Sequence, residues 1–93
     1  MIARIWKATA RDAEAYLRHL HGNVVPELKS IPGFRGLQVL RREREIVVMT
    51  TWDSMEAVRA FAGEEPERAV VGPEAQAVLA GYDDFVRHYE VLA

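Results

Sequence analysis

The chain contains no cysteine, so disulfides, thiolate metal sites and cysteine nucleophiles are excluded from the outset. No apolar run approaches the roughly 20 residues that span a bilayer. An excess of one charge is missing too: 12 Lys and Arg stand against 14 Asp and Glu. That balance offers no global attraction to nucleic acid or to an anionic membrane surface, both of which need a basic face. There is no Gly-rich phosphate loop, no Ser-centred nucleophile elbow and no zinc signature, which leaves nucleotide and hydrolase chemistry without a motif. The opening Met1-Ile2-Ala3-Arg4-Ile5-Trp6 reads as a strand rather than a basic segment followed by an apolar signal core. The expected location is cytoplasmic.

What is present is ordinary for a globular protein. The 93 residues are 49% hydrophobic and 28% charged, enough for one domain over residues 1–93. Ile2 to Thr9 is β-branched and aromatic and reads as a strand, with Ile2, Arg4, Trp6 and Ala8 on one face. From Asp12 the period becomes helical, and Ala13, Leu17, Leu20, Val24 and Leu28 form one apolar stripe. Gly22-Asn23 and Pro26 interrupt it, so a kinked or two-part helix restarting at Asn23 is expected. Ile31-Pro32-Gly33-Phe34 is a turn signal, with Pro presetting one central position and Gly supplying a positive φ at the next. Gly36 to Arg41 and Glu45 to Trp52 then make a hairpin across the charged Arg42-Glu43-Arg44-Glu45 connection. Asp53 or Ser54 caps a helix whose buried face is Met55, Val58, Phe61 and Ala62, and Gly63 stops it. Glu64 to Gly81 is expected to hold two short helical pieces, and Asp84 to Leu92 a closing strand.

This order predicts an α+β fold, ferredoxin-like β-α-β-β-α-β, with a four-stranded antiparallel sheet and the first strand between the third and the last. Ile46 and Val48 face one way along the third strand, Val47 and Met49 the other, so both faces of the sheet are apolar. Two helices cover one face. A homodimer closed sheet on sheet is the expected remedy for the other.

Candidate functional residues are the polar ones inside apolar strands. His88 is the candidate catalytic base, with a hydrogen-bonded histidine at a sheet or dimer surface as the plain structural alternative. Arg4 and Arg87 are candidates for an anion or phenolate contact, or else for an ion pair with Glu90. Trp6 and Trp52 are candidate walls for a planar substrate, or simply core. Tyr82 is a candidate hydrogen-bond donor to a ligand, or a loop anchor, and Tyr16 in the first helix is read as packing. His19 and His21, two apart on a helix, do not share a face and cannot chelate one ion, so no metal is expected. Glu64, Glu65 and Glu67 read as a solvated cluster.

The stretch Val47-Val48-Met49-Thr50-Thr51-Trp52-Asp53-Ser54-Met55-Glu56-Ala57-Val58-Arg59-Ala60-Phe61 resembles the W-x-S-x-E-A-x-x-x-F segment of the antibiotic biosynthesis monooxygenase family. Pro32-Gly33-Phe34-x-Gly36 resembles that family's P-G-F-x-G turn, and His88-Tyr89-Glu90-Val91 suits its closing strand. The resemblance implies a dimeric α+β barrel with a pocket between sheet and helices in each subunit. Some members oxidise aromatic polyketides without a cofactor, positioning and deprotonating a substrate that itself reduces oxygen. Haem-degrading members carry a tryptophan in the helix after the junction and a ligating histidine further along. The matching stretch here has Phe61 and then Val70-Val71, so neither haem nor another cofactor is expected. The leading expectation is a cofactor-independent monooxygenase of an aromatic or polyketide-like small molecule. A non-catalytic dimeric barrel binding a small hydrophobic ligand, and an isomerase or cyclase on the same scaffold, stay open beside it.

Overall fold

The computed structural model describes all residues, Met1–Ala93. Strand β1 (Ile2–Ala10) is followed by helix α1 (Ala13–His19), a π turn (Leu20–Val24) and helix α2 (Val25–Lys29). Strands β2 (Phe34–Arg42) and β3 (Glu45–Trp52), helices α3 (Met55–Ala62) and α4 (Pro73–Val78), and strands β4 (Leu79–Tyr82) and β5 (Arg87–Glu90) complete the order. The sheet is antiparallel, β2-β3-β1-β4, and β5 also pairs β1. This is the expected ferredoxin-like α+β arrangement, with β1 between β3 and the last edge. That edge is made of two short strands rather than one. β4 pairs the end of β1 at Ala8, Thr9 and Ala10, and β5 pairs its start from Ile2 to Ile5.

The helical region corrects one expectation. Instead of a restart capped by Asn23, the first helix runs on through a π turn, and the Val25 N–H reaches back to the Leu20 carbonyl. The cause is Pro26, which cannot donate to Gly22 and whose ring would crowd that carbonyl; widening the turn accommodates both. Asp12 caps α1, its carboxylate accepting from the Ala15 N–H at 3.0 Å. Ser54, not Asp53, caps α3, accepting from the Ala57 N–H at 3.3 Å. Asp53 instead takes a forked pair from Arg35, at 2.5 and 2.8 Å, which lowers its pKa through that hydrogen bond. Gly33 has φ +92°, and a Cβ there would stand 2.6 Å from Ala57 Cβ, so the turn and the close approach of α3 both demand glycine.

The stretch from Glu64 to Gly81 departs furthest from expectation. It holds one helix, α4, after which the chain passes directly into β4. A turn at Pro66 and Glu67 leads into an antiparallel bridge between Arg68 and Phe85, with Ala69 N–H donating to Asp84 O and Val86 N–H to Glu67 O. These pairings are non-local, and no local periodicity announces them.

All helices lie over one face of the sheet. Ile46, Val48, Thr50 and Trp52 of β3 are buried beneath them, whereas Val47, Met49 and Thr51 on the opposite face are only half-buried. Leu40 and Tyr89, which share that open face, are exposed. No helix is long and apolar enough to cross a membrane.

Candidate functional site

Between α1, the π turn, the 70–72 segment and the sheet lies a partly open cavity of about 90 Å³. Its walls are mostly apolar, with Leu20, Val24, Val48, Phe61 and Val71 among them. Several polar side chains converge on it, namely Arg4 and Thr50 from the sheet and Tyr16 and His19 from α1. An apolar cleft with few convergent polar groups is the usual form of a small-molecule site.

Arg4 is the chief of these. It stands on β1 beside Thr50 on β3 and His88 on β5, all on the helix-covered face. Its side chain is buried, and its guanidinium lies 5.8 Å from the centre of the Phe61 ring. Nη1 donates to the Pro66 carbonyl and, at 3.1 Å, to His88 Nε2; Nη2 donates to the Arg68 carbonyl at 2.9 Å. The carbonyls of Pro66 and Arg68, in the turn and bridge of this segment, therefore cradle the guanidinium. Within the chain, no carboxylate, Glu90 included, forms a salt bridge with Arg4. Burial lowers its pKa to about 10, partly offset by the more distant Glu67, so it stays a cation at neutral pH. Its Nε–H has no protein partner, yet no buried polar side-chain atom lacks one; Nε is therefore open to the solvent-accessible space.

Tyr16 behaves likewise. It is 3% exposed, and its hydroxyl makes no protein hydrogen bond, so the same reasoning leaves the hydroxyl accessible. Burial pushes its pKa up to about 12, which keeps the phenol protonated and a donor. Tyr16, which the sequence reading treats as packing in the first helix, presents its hydroxyl at the cavity, where Tyr82 does not reach.

The other expected residues are split. Trp6 lines the cavity, its Nε1–H donating to the Asp83 carbonyl at 2.7 Å. Tyr82, at the end of β4 rather than in a loop, tilts against Trp6 with ring centres 6.1 Å apart, but is itself exposed and outside the cavity lining. Trp52 is fully buried with Phe34 and Phe61 around it, and donates to Thr50 Oγ1 at 2.9 Å. It backs the site without lining it. His88 is on the cavity's face of the sheet but behind Arg4, and does not line the cavity either. Because arginine only donates, His88 Nε2 must be the acceptor, and the ring is neutral with its proton on Nδ1. Burial first, and Arg4 second, lower its pKa. Arg87, opposite Ile5, belongs to the open face.

No group of three or more His, Cys, Asp or Glu side chains is arranged to hold a metal ion. Val70, Val71 and Gly72, where they line the cavity, offer no side-chain ligand to a haem iron.

The family model for antibiotic biosynthesis monooxygenase matches residues 1–72. Among solved structures, the chain is similar to SnoaB of Streptomyces nogalater, a cofactor-independent oxygenase. That match is 13% identical, covers 99% of this chain and 93% of SnoaB, and has a TM-score of 0.68. It is also similar to a mutant of MhuD carrying two manganese protoporphyrin IX per active site, 27% identical over 100% of this chain and 96% of that one, TM-score 0.69. MhuD of Mycobacterium tuberculosis with two haems bound, a haem degrader, is 24% identical over 100% and 97% of the two chains, TM-score 0.61. Among curated proteins no sequence match was found.

Proposed function

Because the chain belongs to the antibiotic biosynthesis monooxygenase family, we propose that it oxidises an enolisable aromatic or polyketide-like small molecule with dioxygen, without a bound cofactor. The observation that carries this reading is Arg4, a buried cation without a carboxylate partner in an apolar, aromatic-walled cavity. A desolvated charge of this kind is stabilised by an opposite charge that enters with the ligand, and a phenolate or enolate oxygen supplies one. The cofactor-independent oxygenase activity named for SnoaB agrees with it.

In the proposed reaction, a methylene conjugated to a ketone loses a proton and becomes an electron-rich enolate. The enolate gives one electron to dioxygen, and the resulting radical pair joins into a hydroperoxide. Loss of water then leaves a new carbonyl; one oxygen atom stays in the product, and the other leaves with the two methylene hydrogens. Arg4 holds the enolate oxygen through its Nε–H, and Tyr16 donates to a second oxygen. Trp6 and Phe61 flank the ring and exclude water. His88, accepting from Nη1, fixes the guanidinium rather than touching the substrate.

The test is anthrone, a simple ketone of this class, incubated with the protein in air. Oxygen uptake matching anthraquinone formed, lost in Arg4→Met, is the expected result. Anthrone binding without oxygen uptake would sink the oxygenase reading and leave a ligand-binding barrel.

The same reading includes a homodimer. The open sheet face carries Ile5, Leu40, Val47, Met49 and Tyr89 with no element of this chain above them. A second copy would cover it sheet on sheet. Sedimentation at micromolar concentration should give a dimer; a monodisperse monomer refutes it.

A further inference from the structure

His19 lines the cavity from the last turn of α1, and its side chain is only 16% exposed. Its Nδ1 lies 3.1 Å from Glu74 Oε2 and 3.0 Å from Asn23 Nδ2, and Asn23 Nδ2 itself donates to Glu74 Oε2 at 3.1 Å. One ring nitrogen cannot donate to the carboxylate and accept from the amide at once. The charge-assisted bond is the stronger, so Nδ1–H donates to Glu74, and Asn23 donates to the same oxygen. The lone pair then belongs to Nε2. That nitrogen has no protein partner, and no unpartnered polar side-chain atom is buried, so Nε2 is accessible.

We propose that His19 is the proton acceptor of this cavity, with Glu74 as the positioning residue that sets its tautomer and steadies the imidazolium. The inference rests on the reading of the cavity as a site for an acidic aromatic molecule. The bland alternative is an exposed histidine–glutamate pair, of the kind that contributes little. Glu74 alone fits that description, with a side chain 74% exposed; the His19 ring is withdrawn into the apolar wall.

The proton balance is simple. A phenol, enol or activated C–H gives its proton to the Nε2 lone pair, and the bonding electrons stay on the substrate as an oxyanion. Arg4 Nε–H and the Tyr16 hydroxyl receive that oxyanion, while the imidazolium keeps Glu74 as counter-charge. Both new charges are therefore paired as they form, which a mostly apolar wall requires. In the oxygenation sequence, the imidazolium returns its proton to the peroxide oxygen.

The experiment uses 4-nitrophenol, a single ring whose visible absorbance reports its ionisation, at a pH below its own pKa. Quenching of tryptophan fluorescence measures binding, and ¹⁵N NMR of the histidine rings reports their protonation. Before addition, His19 should show a proton on Nδ1 and a lone pair on Nε2. On binding, the nitrophenolate band and a doubly protonated His19 should appear together. His19→Gln should still bind the probe, but the ionised fraction should fall roughly tenfold or more, the equivalent of a pKa unit. Glu74→Gln should lose a smaller part of it. A bound nitrophenolate band that survives His19→Gln, or a His19 that stays neutral in the wild-type complex, overturns the assignment. Absence of any binding overturns the cavity reading itself, and the assignment with it.

Discussion

Two clusters share the covered face of the sheet, and they differ in kind. Around Trp52, the side chains of Leu28, Ala57 and Val58 form a buried cluster, and Trp52 Nε1 is satisfied by Thr50. Around Tyr16, Leu20 and Ile46 the packing is incomplete, and unpartnered polar atoms of Arg4, Tyr16 and His19 meet the open space. The first end lies under α2 and α3. The second lies under α1 and α4, a helix of 6 residues. The same sheet therefore supplies a stabilising core where its helices fit and a site where they fall short.

Trp52→Ala should have the largest effect on stability, about 3–5 kcal/mol, because the cavity it leaves lies among side chains that cannot collapse. Urea denaturation measures it. A loss below about 1 kcal/mol would erase the difference between the two ends. Arg4→Met should shift the thermal midpoint less than Trp52→Ala, because removing a desolvated charge offsets the loss of its bonds to the Pro66 and Arg68 carbonyls. Affinity for 4-nitrophenolate should fall roughly 10- to 100-fold, the worth of a hydrogen bond to a charged group. A large drop in midpoint would make Arg4 structural cement instead.

Gly33→Ala tests the closed end from the turn side. Its φ of +92° and the 2.6 Å approach to Ala57 should cost about 1–3 kcal/mol by chemical denaturation. Gly63, at φ +86° with nothing near, should cost less on replacement by Ala. His88 sharpens the open end through pH. Its folded-state pKa is lowered, so the unfolded chain binds more protons in the window between that value and the ordinary imidazole range. Its contribution to stability is complete above that range and is lost as pH falls through it; in Arg4→Met the NMR titration of His88 should move upward. The smallest expected effect is none at all: haem added to the protein should give no saturable Soret shift of the kind histidine ligation produces.

Much of the fold was legible in local chemistry. The alternation along Glu45 to Trp52, the Pro32-Gly33 turn and the Ser54 cap each act within a few residues, and each stands where local rules put it. Of the site, Arg4 and Trp6 were legible because a charge and an indole inside a strand are conspicuous. Tyr16 and His19 were not, since a helical stripe marks which side is buried and says nothing of whether the packing there is complete. His19 had been weighed only against His21, its neighbour in sequence, while Glu74 comes from α4 far along the chain.

The sequence by itself determined the periodicities, the turns and caps, and hence the order of strands and helices with one covered face, because these depend on backbone sterics and on neighbours a few residues away. Only the tertiary structure decided that residues 66–69 cradle Arg4, that β4 and β5 divide the last edge, and that Trp52 is core while Trp6 is wall. Those outcomes depend on contacts between segments far apart in the chain; no local pattern encodes a space that is left empty between them.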